Sequence, residues 1–294
     1  MNHHMQALIT TTGGIKTYKL NSVTDQTDFK LCQANFTKPC ALQDPIQHRL
    51  FNIIWIKEGK AYYQIDFKRY EVEGEAIFFL NPGQAFSVET EEVQRGYRLA
   101  FSQDFHCVET YHKATSCNGI LFNNVYKVPF VNLNSEVVPD LENIVEKILK
   151  EFENPGFGHQ EVIQNYLRLF LVLAARQIDA QQAPEENDFL RNFSFLVEKN
   201  YRKLHQVSDY AELLGIASKT LTKKIKQLKG VSPSEVIKER LILEAKRELF
   251  YSDKQVKTIA YDLGFEDPAY FNRFFKKEAG IAPNQFREQM QVVA

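Results

Sequence analysis

The strongest constraint on this chain is that part of it is written twice. Ala211-Glu212-Leu213-Leu214-Gly215 returns as Ala260-Tyr261-Asp262-Leu263-Gly264, and Gly230-Val231-Ser232-Pro233 returns as Gly280-Ile281-Ala282-Pro283. The first pair is offset by 49 residues and the second by 50, so one residue is inserted between them. In that alignment Leu221 matches Phe271, Ile225 matches Phe275 and Lys223 matches Arg273. Two copies, rather than three or more, argue for a paired module and against a solenoid.

Each copy reads as a helix-turn-helix. Ala211 and Ala260 stand one helical turn before Gly215 and Gly264, where a small side chain lets a second helix approach. The glycines end the first helix, because glycine tolerates the left-handed backbone of a sharp turn. Ser218 and Asp267 are N-cap residue types for the second helices, expected over 219–229 and 268–279. Pro268 suits a first helical position. Leu221, Ile225 and Leu228 form an apolar stripe in one copy, and Phe271, Phe274 and Phe275 in the other.

The opposite faces are basic: Lys219, Lys223, Lys224, Lys226 and Lys229 in the first copy, Arg273, Lys276 and Lys277 in the second. A basic face alone is consistent with simple solvation. Two matched copies, each with a basic second helix, point instead to DNA, whose major groove admits one helix between two rows of phosphates. Between the copies, residues 233–251 run without a helix breaker, and Val236, Ile237, Arg240, Leu241, Glu244, Ala245 and Leu249 keep helical spacing. Such a helix is roughly 28 Å long, approaching the roughly 34 Å of one DNA turn. It is long enough to set two recognition helices in successive major grooves.

These residues resemble a known family. Ile237-Lys238-Glu239-Arg240-Leu241 with Glu244-Ala245-Lys246, then Ile259-Ala260, Leu263-Gly264-Phe265, the run Tyr270 to Lys277 and the run Gly280 to Arg287 closely resemble the AraC/XylS family of bacterial transcription regulators. The likeness covers about 100 residues and is tighter in the second copy. It implies a seven-helix domain that places two recognition helices in adjacent major grooves of an operator. The base-facing positions it implies are Lys219, Thr222 and Lys223 in the first helix and Pro268, Ala269, Asn272 and Arg273 in the second. Pro268 and Ala269 have no side-chain donor, so the second helix is expected to read sequence chiefly through Asn272 and Arg273. Lys224, Lys276 and Lys277 are the expected phosphate contacts.

A length of 294 residues suggests about two domains. The net charge of −1 conceals an asymmetry: residues 1–188 hold 17 Lys+Arg against 24 Asp+Glu, and residues 189–294 hold 19 against 13. An acidic N-terminal part joined to a basic C-terminal part fits one non-DNA and one DNA-binding domain. Met1 to Gly14 lacks the apolar core of a signal peptide, and no apolar run approaches a membrane span. A cytoplasmic protein with no membrane partner is expected. Cys32, Cys40, Cys107 and Cys117 include no C-x-x-C pair and read as reduced thiols, not as a zinc site.

From about Ile15 to Phe130 the texture is β. The segments 50–56, 61–67, 76–80 and 97–101 are rich in aromatic and β-branched residues, separated by turns at 57–60, 73–75 and 81–84. This spacing suggests a sandwich or small barrel. The order Gly59, Gly74, Pro82-Gly83 resembles a cupin, the barrel that AraC-type regulators carry before their DNA-binding part. Metal-binding cupins offer a His-x-His pair, whereas here His48 stands alone, so no metal, cofactor or catalytic residue is assigned. The barrel is instead a candidate effector pocket, with Trp55, Tyr63, Phe78 and Phe86 as lining and His48, Arg49 or Arg98 as a polar anchor. The alternative is that these aromatics simply fill the barrel.

From Val137 the period becomes helical. Leu141, Ile144, Val145, Ile148, Leu149 and Phe152 form one stripe, and residues 161–178 form a second helix with a broad apolar face. The family resemblance makes this hairpin the homodimer contact; the alternative is that it only covers the barrel. The polar stretch 179–188 reads as a linker. The reading is therefore an α+β multidomain protein: a cupin-like β-barrel over 1–135, a helical dimerisation segment over 136–180, a linker over 181–188 and an all-α double helix-turn-helix domain over 189–290. Its expected function is sequence-specific transcription regulation by a homodimer that contacts DNA and RNA polymerase, with a small-molecule effector or partner at the N-terminal domain. The alternatives are an N-terminal domain that only dimerises or binds protein, and an enzyme (metal cupin or DNA-repair alkyl transfer) with an appended DNA-binding domain.

Overall fold

The computed structural model describes residues 6–12, 15–21, 27–36, 50–89, 94–107, 121–122, 128–182 and 188–293. The chain divides into two compact units, Met1–Pro184 and Glu185–Ala294.

The N-terminal unit is built on two antiparallel sheets. Among the described residues its strands are β1 (Gln6–Thr12), β2 (Ile15–Asn21), β3 (Thr27–Phe36), β4 (Phe51–Ile56), β5 (Lys60–Ile65), β6 (Lys68–Glu73), β7 (Ala76–Leu80), β8 (Phe86–Glu89), β9 (Gln94–Phe101) and β10 (Phe130–Asn132). The large sheet has the order β1-β2-β3-β9-β4-β7-β10, and the small one β6-β5-β8. Every residue of β4 and of β7 is buried, which requires cover on both faces of the large sheet. The period of two divides them. Ile54, Ile56, Ala76, Phe78 and Leu80 pack against Ala61, Tyr63, Ile65, Phe86 and Val88 of the small sheet. Phe51, Ile53, Trp55, Ile77 and Phe79 pack on the opposite side, against the helices.

Those helices are α2 (Val138–Glu153) and α3 (His159–Gln182), after a short α1 (Gln103–Cys107). The stripe Leu141, Ile144, Val145, Ile148 and Phe152 is buried as its spacing predicts. Ile163, Leu167, Phe170, Leu171 and Ala174 of α3 meet it in the same core. The β structure extends further toward the N-terminus than the texture indicates, because β1 pairs with β2 along its full length, from Gln6 opposite Asn21 to Thr12 opposite Ile15. No described helix is long and apolar enough to cross a membrane.

The C-terminal unit is helical: α4 (Asp188–Asn200), α5 (Val207–Leu213), α6 (Ser218–Lys229), α7 (Pro233–Tyr251), α8 (Val256–Asp262), α9 (Pro268–Ala279) and α10 (Pro283–Val293). The duplication is visible as α5-α6-α7 followed by α8-α9-α10. The expected linker 181–188 falls mostly outside the described residues. Ser218 does not cap α6: Ala217 is the N-cap, makes no side-chain cap bond, and leaves Ser218 inside the first turn. Leu228 also leaves the apolar stripe and is 39% exposed, since Leu221 and Ile225 alone reach the core. In the second copy Asp267 does cap α9, accepting from the Ala269 and Tyr270 amides at 2.8 and 3.2 Å.

Candidate nucleic-acid interface

Both candidate recognition helices are mounted in the same way. Each buries one narrow stripe, Leu221 and Ile225 on α6 and Phe271 and Phe275 on α9. Each ends on a glycine in left-handed conformation, Gly230 and Gly280. The turn before each helix is closed by Gly215 or Gly264. Packing therefore fixes the inner face and leaves the outer face to solvent.

Lys219, Thr222, Lys223 and Lys224 on α6, and Ala269, Asn272, Arg273, Lys276 and Lys277 on α9, are exposed; Pro268 is half-buried. α6 contains no acidic residue at all. The Thr222 hydroxyl donates to the Ser218 carbonyl at 2.9 Å, which leaves its oxygen lone pairs facing outward as acceptors. The Lys224 ammonium stands 4.5 Å from the centre of the Phe189 ring, which turns it toward α4. Arg273 lies 3.9 Å from the capping carboxylate of Asp267 and 5.9 Å from the Tyr270 ring. Tyr270 itself is 56% exposed on the first turn of α9 and joins the outward set. Its spacing of three residues before Arg273 places it on that face.

The scaffold between these helices is an ionic cluster; helical spacing places Arg240 and Glu244 on the inward stripe of α7, but not the partners that join them from outside it. Glu244 of α7 is its centre. Arg240 donates to it at 3.0 Å and Arg247 at 3.3 Å, and Arg202 makes a third charge-assisted bond. Arg240 also donates to Glu198 of α4 at 2.8 Å, and its guanidinium carbon stands over the Tyr201 ring, 3.9 Å from its centre. Burial alone would raise the Glu244 carboxyl, but Arg240, Arg247 and Arg202 more than reverse this and bring it down to about 2. The Arg240 guanidinium is opposed by burial and held charged, well above its usual value, by Glu198 and Glu244. At the far end of α7, Arg287 of α10 donates to the Leu249 and Lys254 carbonyls at 3.0 and 2.6 Å.

The N-terminal candidates separate into four groups. His48 and Arg49 lie outside the described residues. Tyr63, Phe78 and Phe86 come together between the sheets, with ring centres 4.6 to 6.0 Å apart, and burial pushes the Tyr63 phenol up to about 12. Trp55 leaves the pocket set. It is an odd-numbered residue of β4, so it points away from the small sheet, packs 5.9 Å from Phe170 and donates its indole N–H to Glu75 at 2.8 Å. Arg98 shares the face of Ile54 and donates to Asn52 at 3.0 Å. Cross-strand pairing puts Lys30 and Lys19 on that same face. Burial first, and the Arg98 charge second, lower the Lys30 ammonium below its ordinary range.

A helix-turn-helix domain family matches residues 210–289. The chain is similar to the HTH-type transcriptional activator RhaS of Mannheimia succiniciproducens, 28% identical over 158 residues that cover 53% of this chain and 57% of that one. The RhaS activator of Yersinia pestis is 30% identical over 94 residues, covering 32% and 34%. The chain thus spans about half the length, or less, of the curated relatives it matches. Among solved structures, ToxT from Vibrio cholerae is 16% identical with a TM-score of 0.44, covering 90% of this chain and 98% of its own. The C-terminal domain of the response regulator yesN from Fusobacterium nucleatum is 28% identical with a TM-score of 0.31, covering 32% and 93%.

Proposed function

We infer function from one premise: residues 210–289 are a helix-turn-helix domain of the AraC/XylS type. The protein is a sequence-specific DNA-binding regulator of transcription that acts in the cytoplasm. The observation that carries this reading is the pair of outward basic helices, α6 and α9, each held by a two-residue apolar stripe. Lys219, Thr222 and Lys223 read bases in one major groove, and Asn272 and Arg273 in the next; Pro268 and Ala269 add contact without side-chain hydrogen bonds. Lys224, Lys276 and Lys277 hold phosphates. Each good base contact supplies about 1–3 kcal/mol of discrimination.

The N-terminal unit supplies dimerisation and regulation. Leu169 of α3 is 46% exposed, and with the partly buried Tyr166 and Leu173 beside it forms the contact with a second copy. The cationic row Lys19, Lys30 and Arg98 favours an acidic small molecule as effector, acting by preferring one arrangement of the protein over another. Regulation then reaches RNA polymerase through the DNA-bound dimer.

The test is selection of genomic fragments by the full-length protein, with the Lys223→Ala/Arg273→Ala double variant as control. Enrichment of a motif of two half-elements about one DNA turn apart, lost in the double variant, is the expected result. Fragments that share no motif, or a motif that survives the double variant, would overturn the assignment of α6 and α9.

A further inference from the structure

The two helix-turn-helix units are joined by α7, but the structure holds a second connection that bypasses it. The turn between α4 and α5, residues 201–206, leads directly into the first unit. It also reaches the second unit at three points. The His205 Nε2 lies 2.9 Å from the Leu263 carbonyl, a contact in which the ring donates when that nitrogen carries the proton, and the ring also bonds the Tyr201 backbone. Arg202 donates to the Asp262 carbonyl at 3.4 Å. The backbones meet at Gly264, where a Cβ would stand 2.1 Å from the Arg202 carbonyl oxygen.

The contact continues to the recognition helix. The His205 ring lies 5.0 Å from Phe265. Phe265 in turn touches three rings of α9: Phe271 at 5.2 Å, Phe274 at 5.3 Å and Tyr270 at 5.9 Å. On its other side the turn is bound to the first unit, because the buried Tyr210 of α5 donates its hydroxyl to the Leu204 carbonyl at 2.8 Å. Arg202 also anchors to α7 through Glu244 and Glu248. Residues 202–205 therefore touch α5, α7 and the α8–α9 turn at once.

A single connecting helix fixes distance along its own axis, whereas rotation about that axis and bending at its end are resisted by contacts off the axis. We propose that the Arg202–His205 turn is a spacing gauge, a set of positioning residues that locks α9 relative to α6 and so determines which separation between two half-elements the protein accepts. The inference rests on the DNA-reading function above and adds a specificity determinant that touches no base. One inserted base pair moves a half-element by about 3.4 Å and about 35° around the duplex. A locked pair of helices loses contacts at that mismatch, while an unlocked pair follows the DNA.

The test uses the full-length protein and its selected site, with zero, one or two base pairs inserted between the half-elements. Wild type, His205→Ala and His205→Gln are compared by equilibrium binding, because glutamine can place a donor where the imidazole N–H stands. The expected wild-type penalty for one inserted base pair is about tenfold or more, the loss of at least one good base contact. His205→Ala should reduce that penalty to about twofold to threefold while keeping the penalty for altering bases within a half-element. His205→Gln should restore it. A His205→Ala protein with an unchanged spacing penalty, or with affinity lowered equally at every spacing, overturns the proposal. If His205→Ala does not fold by circular dichroism, Arg202→Gln, which cuts the guanidinium contact to Asp262, replaces it in the same comparison, and the same two outcomes overturn the proposal. A wild type that selects no bipartite site sinks the DNA-reading function itself, an outcome distinct from a failed gauge.

Discussion

Glu244→Gln is the most informative single change to the C-terminal unit. The carboxylate is 11% exposed, and two of its arginine partners, Arg240 and Arg247, are 6% exposed. Glutamine keeps the volume and one acceptor oxygen but removes the negative charge that balances three guanidinium groups. Breaking a buried ion pair from one side costs about 3–5 kcal/mol, because the remaining charge stays desolvated. Arg240 keeps Glu198 and Arg202 keeps Glu248, so the lower end of that range, about 3 kcal/mol, is expected. With a urea slope of about 1.5 kcal/mol per molar, the midpoint falls by about 2 M. Far-ultraviolet circular dichroism follows the helices of both units, and the fluorescence of Trp55, the sole tryptophan of the chain, follows the N-terminal unit alone, so the helical transition of the C-terminal unit is the part of the dichroism change that Trp55 does not share. The helical transition should move and the Trp55 transition should hold. The exposed pair Arg69–Glu89, 57% and 53% exposed, serves as comparison, since Glu89→Gln should cost under about 1 kcal/mol. The acid limb gives the sign. The folded pKa of Glu244 is depressed to about 2, so its stabilisation is present above the ordinary carboxylate range and is lost as pH falls toward about 2. Glu244→Gln should flatten that part of the stability curve. A helical midpoint displaced by less than about 0.5 M would refute the view that this cluster holds the unit together.

Arg273→Ala should weaken binding to the selected site by about 1–3 kcal/mol and binding to random duplex far less; equal losses on both, measured by competition, would reassign Arg273 to phosphate. Lys276→Ala/Lys277→Ala should instead weaken all sequences alike and lower the slope of log K against log salt by about 2, read from a salt titration. Gly264→Ala should cost more than Gly215→Ala in thermal unfolding. Both glycines have positive φ, but only at Gly264 does the added Cβ meet backbone, the Arg202 carbonyl, whereas nothing lies within 4 Å at Gly215. Left-handed strain alone is about 1–2 kcal/mol, so similar losses would show that the Arg202 contact yields without cost.

The sequence is most legible where one residue type has one job. Glycine at a positive φ, an apolar pair four residues apart and a run of lysines are each tied to a local geometry, so α6 and α9 can be placed to within a residue. It is less legible in the β unit, because β4 and β7 are buried on both faces and show no alternation of apolar and polar residues. Trp55 and Phe78 are both large aromatics in such runs. Only strand pairing, with Trp55 opposite Ile77 and Ile54 opposite Phe78, assigns them to opposite sides of the sheet. An aromatic-rich strand therefore suggests a filled core without saying which rings face a common cavity.

The duplication itself explains why the ionic cluster escapes a reading by repeats. Copying a helix-turn-helix provides two recognition helices with equivalent mounts but nothing that sets one relative to the other. That task falls to parts that are not duplicated: α4 with Glu198, the turn with Tyr201, Arg202 and His205, and the inward face of α7. Along the chain these are a charged helix end, a polar loop and charges inside an amphipathic pattern, each an ordinary surface feature. Folding brings residues 202 and 262 together across 60 positions, and only then do Arg202, Arg240, Arg247 and Glu244 become a buried set. On the proposed reading, sequence selectivity can be changed on the exposed faces of α6 and α9 without disturbing the frame, while half-element spacing can be changed in the frame without touching a base contact.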